Sequence, residues 1–436
     1  MAQTPDRKQS RRSFLSAAAK TAAAASVATG FPAIVPSTVF GATSPSNRIN
    51  VGAIGAGRIS RGHDIPNIRK FDTARIMAVC DLDANRVEDG KKLINEFYAT
   101  KTGKAYNGVT GYANYLELLA NKDIDVVVNL TIPAAHFPVS KAALEAGKHV
   151  YSEKPLVLSL EEGEELRRIA REKNLSVGCA PDTFLGGAHQ LARQYIDEGK
   201  VGRITSGTCH VMSPGMEMWH PNPGFFFLKG GGPILDLGPY YVANLINLIG
   251  PVKRVGALTS MANPTRTVTS QPLNGEIIPV ETPTNIHALL EFVNGATITL
   301  SASWDVWSHR HANMELYGTE GSIYVPDPNF FGGVVEASGR DKNIQPLEDW
   351  AHPFGIANQE SPNGPRANYR TAGLADMAIA ILEGRDARCS LDRSLHGIDV
   401  MTSILKSGEE GRFIEMTTTC TQPAALGIEE AQALLR

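Results

Sequence analysis

Short apolar runs alternate with amphipathic segments of helical length from residue 49 to residue 180. The apolar runs have the length and composition of strands and cover 49–54, 74–79, 123–130, 148–152 and 176–179. The run at 123–130 is almost continuously apolar, which is typical of a parallel strand covered on both faces. This alternation predicts a doubly wound parallel sheet whose ligand crevice lies at the carboxyl ends of its strands.

The pattern changes after residue 180. Strand patterns follow a helical segment at 188–198 and cover 204–212, 252–261, 285–293, 296–305, 322–325 and 333–336, with a hairpin signal at Asn294-Gly295. We therefore expect an α/β protein with two folded domains. The first is a Rossmann-type doubly wound domain at 47–180, and the second is an α+β domain with an open, largely antiparallel sheet at 181–436.

The first 41 residues fit neither domain. Arg11-Arg12 is followed by an alanine-rich, weakly apolar run at 16–30, as in a twin-arginine export signal. Its small residues and Lys20 make the run a poor membrane span. We expect a signal peptide at 1–41, the twin-arginine export machinery as a partner, and a periplasmic or otherwise exported protein. The alternative is a basic, disordered tail.

Composition excludes some partners. The 436 residues include 42 basic and 45 acidic side chains, a net charge of -3, which gives no broad electrostatic reason to bind nucleic acid or an anionic membrane. The five cysteines are scattered, with no Cys/His spacing typical of a metal site, so we expect buried thiols and no metal. The predicted partner is a small molecule.

A partial dinucleotide fingerprint follows the first strand. Gly55 allows a tight turn and Gly57 allows close approach of a pyrophosphate, while Ser60 stands at the third glycine position. Asp81, at the end of the second strand, is placed to accept hydrogen bonds from the adenosine ribose, although a capping role is the alternative. This pattern favours NAD. NADP is the alternative, because Arg86 could approach a 2′-phosphate.

Lys154 is the main catalytic candidate. A residue before proline is pushed into an extended conformation, so Pro155 would hold Lys154 at the end of the strand at 148–152 with its ammonium facing the crevice. The alternative is a surface lysine at an ordinary turn.

A second chemical segment follows Gly230-Gly231-Gly232. Asp236 and Tyr240 are four residues apart and would share one helical face, although Pro239 should kink or restart the helix. The alternative gives Asp236 a capping role and Tyr240 a packing role.

These motifs resemble those of the Gfo/Idh/MocA oxidoreductase family. The residues that carry the resemblance are Gly55-Ala56-Gly57, Cys80-Asp81, Thr131, Pro133, His136, Ala146 to Val150 and Glu153-Lys154-Pro155. The resemblance implies that Lys154 binds the substrate hydroxyl beside the nicotinamide, that Glu153 lies near the cofactor, and that the Lys154–Pro155 bond is cis. The family motif has a histidine where this chain has Tyr240, and some members, including the glucose-fructose oxidoreductases, carry tyrosine there, which favours a site of that kind. The cofactor-binding candidates are Gly55, Gly57, Arg58, Ile59, Asp81, Arg86, Thr131, Pro133, His136 and Glu153.

We expect an exported NAD(P)-dependent oxidoreductase that transfers a hydride between a tightly bound cofactor and a secondary hydroxyl of a sugar, glycoside or cyclitol. Lys154 would stabilise the alkoxide, Asp236 would orient the substrate or Lys154, and Tyr240 would relay the proton. The alternatives are a redox-assisted glycoside hydrolase or epimerase, and a non-catalytic sugar or nucleotide sensor. The resemblance also implies a homo-oligomer.

Further candidates could contact a sugar ring. They are Trp219 and His220, and the segment at 304–311 with Trp304, Asp305, His309 and His311; packing is the alternative for all of them. The loop at 341–368 is long and rich in Pro, Gly and Asn, as in functional loops or oligomer arms.

Overall fold

The computed structural model describes residues 48–348, 350–362 and 364–435, so the predicted signal peptide lies outside the described residues. A six-stranded parallel sheet forms the first half, in the order β3-β2-β1-β4-β5-β6. Its strands are β1 (Ile49–Ile54), β2 (Ala74–Cys80), β3 (Thr110–Tyr112), β4 (Val126–Asn129), β5 (His149–Ser152) and β6 (Val177–Cys179). The predicted doubly wound sheet is confirmed.

Helices connect these strands and cover the sheet. They are α1 (Ile65–Ile68), α2 (Ala84–Thr102), α3 (Tyr115–Ala120), α4 (Pro133–Glu145) and α5 (Leu160–Lys173), and a π-helical turn at Ser60–Asp64 precedes α1. Ser159 begins α5, because its side chain accepts a hydrogen bond from the Glu162 N–H. All four residues of β4 are buried, as its apolar sequence requires.

A nine-stranded sheet forms the second half, in the order β16-β15-β14-β13-β7-β12-β11-β8-β17, and a two-stranded ribbon pairs β9 with β10. The strands are β7 (Ile204–Met212), β8 (Val252–Ser260), β9 (Thr265–Thr267), β10 (Ile277–Pro279), β11 (Asn285–Phe292), β12 (Thr297–Ser303), β13 (Met314–Gly318), β14 (Ser322–Val325), β15 (Glu336–Ser338), β16 (Gln345–Pro346) and β17 (Ile414–Glu415).

Within this sheet β7 and β12 are parallel, and the other neighbouring strands are antiparallel. The expected hairpin is present, since β11 and β12 pair across a turn in which Gly295 has a φ of +87°. The prediction of an open, largely antiparallel sheet is therefore confirmed.

The remaining helices are α6 (Gly187–Asp197), α7 (Pro233–Asp236), α8 (Gly238–Ile249), α9 (Ala372–Glu383), α10 (Leu391–Glu410) and α11 (Ile428–Leu434). Short 3-10 turns lie at Thr183–Leu185, Met216–Met218, Gly224–Phe227 and Pro353–Gly355. Every residue of α8 is buried, and this helix shares a core with the strand residues of the second sheet that face it. His287 and Leu289 alternate with these core residues and face the opposite side of the sheet.

The first sheet shares a core with helices from the end of the chain. Leu374, Met377 and Leu434 from the end of the chain belong to the same buried cluster as Ile76 and Tyr151 of the first sheet. The C-terminal helices thus complete the core beneath the nucleotide-binding strands. Among the described residues, no helix has the length and apolar character needed to cross a membrane.

Candidate active site

The loop after β1 has the shape that a dinucleotide requires. Gly55 has a φ of +97°, and a side chain there would lie 2.5 Å from the Leu130 carbonyl oxygen. At Gly57 the space that a side chain would fill is open, so a pyrophosphate can approach the backbone. The Ser60 hydroxyl donates to the Gly55 carbonyl oxygen at 2.8 Å, which explains how serine serves at the third position.

Asp81, the predicted ribose acceptor, lies directly after β2. Its carboxylate accepts hydrogen bonds from the Ala56 N–H at 2.8 Å and the Asp83 N–H at 3.0 Å, which ties it to the glycine loop. Arg86 lies 3.8 Å from Asp81 and 3.5 Å from Asp83, between two carboxylates. These residues fit NAD, because a 2′-phosphate would have to draw Arg86 away from both acids.

Three exposed aliphatic side chains surround this loop at the carboxyl ends of neighbouring strands. Ile59 was among the predicted cofactor-binding residues, whereas Leu82 and Ile132 were not. Leu82 is 94% exposed in the structure. In the sequence, the signal that could have identified Leu82 is an aliphatic residue directly after an aspartate at the end of a strand. Apolar side chains at this edge provide a surface for a flat, weakly polar ring.

His136 connects the loop after β4 to the segment that carries Lys154. Its ring is buried, with Nδ1 2.6 Å from the Pro155 carbonyl oxygen and Nε2 3.1 Å from the Thr131 carbonyl oxygen. The Thr131 hydroxyl donates to Asn129 Oδ1 at 2.6 Å, and Pro133 begins α4. The geometry gives His136 a supporting role behind the predicted cofactor surface.

Lys154 and Asp236 form the centre of the site. The Lys154–Pro155 bond is cis, as the resemblance implied. Lys154 Nζ donates to the Asp236 carbonyl oxygen at 2.8 Å and to its carboxylate at 2.9 Å. Burial alone would lower the pKa of the Lys154 ammonium, but the Asp236 carboxylate outweighs it and holds the pKa above its ordinary value. The lysine is therefore a stable cation in the cleft.

Tyr240 belongs to the same group of side chains. The chain breaks between α7 and α8 at Leu237, because Pro239 restarts the helix, so Asp236 and Tyr240 lie on consecutive short helices. Lys154 Nζ lies 5.5 Å from the centre of the Tyr240 ring. The structure therefore brings together the three predicted catalytic residues.

Two buried carboxyl groups close to Glu153 were not predicted. Asp182 accepts hydrogen bonds from the Tyr151 hydroxyl at 3.2 Å and the Gly373 N–H at 3.0 Å, and burial raises the pKa of Asp182 to about 6. Burial, with the charge of Glu153, also raises the pKa of Asp64 well above its ordinary value. An aspartate just after the last parallel strand is a signal that points to Asp182.

The opposite wall of the cleft carries aromatic side chains. Arg58 Nη2 lies 3.4 Å from His220 Nε2, which connects the glycine loop to the second half of the chain. The His220 ring makes edge contacts with Trp219, Phe225 and Phe226, and Trp219 is 63% exposed. Trp219 and His220 remain available for a sugar ring.

The expectation for the segment at 304–311 is wrong at Trp304, whose side chain is fully buried against Phe226 and Phe227. Asp305 is also engaged, in an ion pair with Arg266. Trp304 therefore packs beneath the aromatic wall, and the Asp305 carboxylate is already bound by Arg266.

His309 and His311 lie elsewhere. The His311 ring stacks on His210 with ring centres 4.0 Å apart, and His309 lies next to it. His210 points away from the core helices, on the side of the sheet that also carries His287 and Ser301. In the described part of the chain, no group of three or more His, Cys, Asp or Glu side chains could hold a metal ion.

Comparison with family models gives two matches. Residues 49–180 match the model described as an oxidoreductase family with an NAD-binding Rossmann fold, and residues 189–324 match the GFO/IDH/MocA C-terminal domain. Together the two matches span more than half of the chain. The first match and the geometry of the glycine loop agree that the first half binds NAD.

Several curated proteins are similar in sequence. Levoglucosan dehydrogenase of Pseudarthrobacter phenanthrenivorans is 26% identical over 294 residues, covering 63% of this chain and 73% of that protein. D-xylose dehydrogenase of Paenarthrobacter nicotinovorans is 24% identical over 377 residues, covering 78% and 92%. Glycosyl hydrolase family 109 protein 2 of a Shewanella species is 36% identical over 274 residues, covering 58% and 59%.

Solved structures show the same fold. Levoglucosan dehydrogenase in complex with NADH and L-sorbose superposes with a TM-score of 0.69 at 22% identity, over 85% of this chain and all of that chain. An NAD-binding oxidoreductase from Klebsiella pneumoniae gives the same TM-score, identity and coverage. The matched family models, the glycine loop and the Lys154–Asp236 pair converge, and the chain belongs to the Gfo/Idh/MocA family of NAD-binding oxidoreductases.

Proposed function

We propose that this protein is an exported NAD(P)-dependent dehydrogenase that transfers a hydride between the nicotinamide and a secondary hydroxyl of a sugar, glycoside or cyclitol. The observation that carries the proposal is the Lys154–Asp236 pair. It lies at the carboxyl end of β5, on the edge of the sheet that also carries the glycine loop. A cation fixed at that edge can bind the oxygen of an alcohol whose carbon faces the nicotinamide.

Lys154 would stabilise the substrate oxygen. An ammonium has three N–H donors, and the two bonds to Asp236 leave one for the substrate hydroxyl. Negative charge grows on this oxygen as the carbon–hydrogen bond breaks, and Lys154 is held in place to balance it. Bound NAD supplies the hydride acceptor or donor. Asp236 keeps the lysine charged and aimed.

Tyr240 would exchange the hydroxyl proton. Its ring lies beside the Lys154 ammonium, so one oxygen of the substrate can contact both groups. During oxidation, the proton passes from the substrate oxygen to Tyr240 as the hydride leaves the same carbinol. During reduction both steps reverse, and Tyr240 returns the proton.

The sugar assignment has two supports. Two similar dehydrogenases are named for levoglucosan and D-xylose, and the exposed Trp219 ring stands on the cleft wall next to His220. Aromatic faces suit the carbon–hydrogen faces of sugar rings. The test is NADH formation across a panel of sugars, glycosides and cyclitols, with Lys154→Ala as the control. No turnover on any member, in a protein that binds NAD, would overturn the proposal.

A tightly held cofactor follows from export. An exported enzyme is separated from the cytoplasmic pool of NAD, so we expect NAD to be loaded before export and retained, and one sugar to reoxidise what another has reduced. Absorbance and mass analysis of the purified mature protein test this directly. A preparation without nucleotide would contradict tight retention.

A redox-assisted glycoside hydrolase or epimerase is the second candidate. The Shewanella relative named as a glycosyl hydrolase is 36% identical over 274 residues. In such a reaction, transient oxidation activates a carbon–hydrogen bond and the hydride is returned at the end. Cleavage of a nitrophenyl glycoside that requires NAD but accumulates no NADH would favour this candidate over a dehydrogenase.

Export and assembly belong to the same proposal. Replacing Arg11 and Arg12 with lysine should retain the protein in the cytoplasm, which cell fractionation measures. A homo-oligomer is supported by the outer face of the second sheet, where Leu258, Leu289 and Phe413 are exposed around a groove of about 360 Å³. A monomer in analytical ultracentrifugation would argue against it.

A further inference from the structure

We propose that Arg370 is a positioning residue for catalysis: its guanidinium holds the Tyr240 oxygen in place and stabilises negative charge on it, so that Tyr240 can accept the substrate proton. This inference rests on the proposed dehydrogenase reaction. It identifies the missing element of the proton transfer, because a tyrosine needs a partner that favours its charged form before it can act as a base.

The geometry places Tyr240 between two cations. Arg370 Nη1 donates to the Tyr240 oxygen at 3.1 Å, and the guanidinium carbon lies 5.4 Å from the ring centre. The Lys154 ammonium lies 5.5 Å from the same ring centre. A guanidinium can only donate, so the tyrosine oxygen is the acceptor in this bond. Such charge-assisted bonds strengthen as negative charge grows on the acceptor.

Arg370 is itself firmly held. Its Nη2 donates to Asn329 Oδ1 at 2.9 Å, and its backbone N–H donates to Asn368 Oδ1 at 3.3 Å. The next residue, Thr371, is buried and has a φ of +74°, a conformation that β-branched residues rarely adopt. Unfavourable backbone conformations persist where the surrounding structure imposes them, often at functional sites. This turn is what directs Arg370 at Tyr240.

The buried guanidinium keeps its charge. Burial opposes the charge of Arg370, but the Tyr240 oxygen and the carboxylates of Glu153 and Asp182 outweigh it and hold the pKa of Arg370 above its ordinary value. The ionisable groups around the pair are Lys154, Asp236, Glu153, Asp182, Asp64 and His63. Asp182 has a pKa of about 6, which the charge of Arg370 helps to keep from rising further, so the test must separate the response of Asp182 from that of Tyr240.

The proposed step balances. In the direction of oxidation, the step uses the deprotonated form of Tyr240. The substrate O–H bond breaks as an O–H bond forms on Tyr240, and the carbinol C–H bond breaks as two electrons leave with the hydride to the nicotinamide. A carbonyl group forms at the same carbon. Arg370 stays protonated throughout and acts only through the tyrosine.

Steady-state kinetics of Arg370→Met, Arg370→Lys and Tyr240→Phe test the inference. Arg370→Met should lower kcat about 10- to 100-fold at neutral pH with little change in KM, and move the acidic limb of the pH profile up by about one unit or more. Arg370→Lys should restore much of both. In the Tyr240→Phe background, Arg370→Met should move the acidic limb less than it does with Tyr240 present, because only Asp182, whose pKa the Arg370 charge lowers, still responds. The difference between the two backgrounds is the part that belongs to Tyr240.

The same loss at every pH in Arg370→Met, with an unmoved acidic limb, would reduce Arg370 to a structural residue and overturn the inference. Unchanged kinetics would overturn it as well. Asn329→Ala removes an acceptor of Arg370 without touching Tyr240, so it should give a smaller shift in the same direction. If Arg370→Met does not fold, Asn329→Ala replaces it in the test. A pH–rate profile like that of the wild-type protein in Asn329→Ala would then overturn the inference.

A spectroscopic titration separates this inference from the proposed function. The ultraviolet difference between the wild-type protein and Tyr240→Phe isolates the ionisation of one phenol among the 11 tyrosines. Arg370→Met should move that ionisation to higher pH, and no substrate is needed. A shifted ionisation in a protein that oxidises no sugar would refute the function alone, while turnover with an unshifted ionisation would refute the role of Arg370.

Discussion

Lys154 and Asp236, 82 residues apart in the sequence, are joined by two hydrogen bonds, one to the carboxylate and one to the backbone carbonyl oxygen of the aspartate. The double contact joins the end of β5 to α7. It therefore determines the position of a cation relative to the glycine loop and also to the wall that carries Trp219 and His220.

Replacing Lys154 with alanine should lower kcat by orders of magnitude and leave NAD affinity within a few fold. The lysine touches the reacting oxygen in the proposed reaction, whereas the nucleotide is held by the glycine loop. Initial-rate kinetics and calorimetric titration with NAD measure the two effects. Lys92→Ala, at an exposed position, is the control, and full activity in Lys154→Ala would remove the assignment.

Replacing Asp236 with asparagine should lower the pH at which activity is lost on the alkaline side of the pH profile. The burial that lowers the pKa of Lys154 would remain while the opposing carboxylate is lost, so the pKa should fall and the lysine should lose its charge earlier. We expect the basic limb of kcat/KM to move down by about one to two pH units. Asp392→Asn, at an exposed site, should leave the limb where it is.

Replacing Asp81 with serine should weaken NAD binding and improve the relative use of NADP. The substitution removes a ribose acceptor and frees Arg86, which then pairs only with Asp83 and can turn to a 2′-phosphate. Kd values for both nucleotides measure the change. Asp83→Ser removes the neighbouring charge and is the matched control, and an equal loss for both nucleotides in Asp81→Ser would show that Arg86 does not reach the phosphate.

Acid should destabilise the fold through His189. Burial lowers the pKa of His189 to about 4 from about 6.5, so its contribution to stability is present above pH 6.5 and is lost as the pH falls towards 4. A shift of this size corresponds to about 3 kcal/mol. Denaturant titrations of His189→Gln should show a flatter dependence than the wild-type protein between these pH values. The exposed His309→Gln should match the wild-type dependence.

Local sequence patterns were enough to predict much of the first sheet and of the site. Gly55, Asp81 and Lys154 each follow a strand signal directly, so their place at the carboxyl edge follows from local structure. Arg370 could not be found in this way. It lies 130 residues from Tyr240, and only tertiary folding brings the two together.

Burial caused a further difference between sequence and structure. Trp304 follows β12 directly and has polar neighbours, which is the pattern that favoured sugar binding, but the aromatic residues at 226–227 cover it. Nothing local to Trp304 signals that distant segment. The break at Leu237, in contrast, was foreseeable because proline limits helices by its own covalent geometry.

The shared core beneath the nucleotide-binding strands has a consequence for protein engineering. A fragment ending near residue 180 would lose Leu374, Met377 and Leu434, and would expose the apolar surface around Ile76 and Tyr151 to water. The nucleotide-binding half is therefore not a transplantable module. Chimeras that exchange substrate specificity should carry the last 65 or so residues of the parent that donates the parallel sheet.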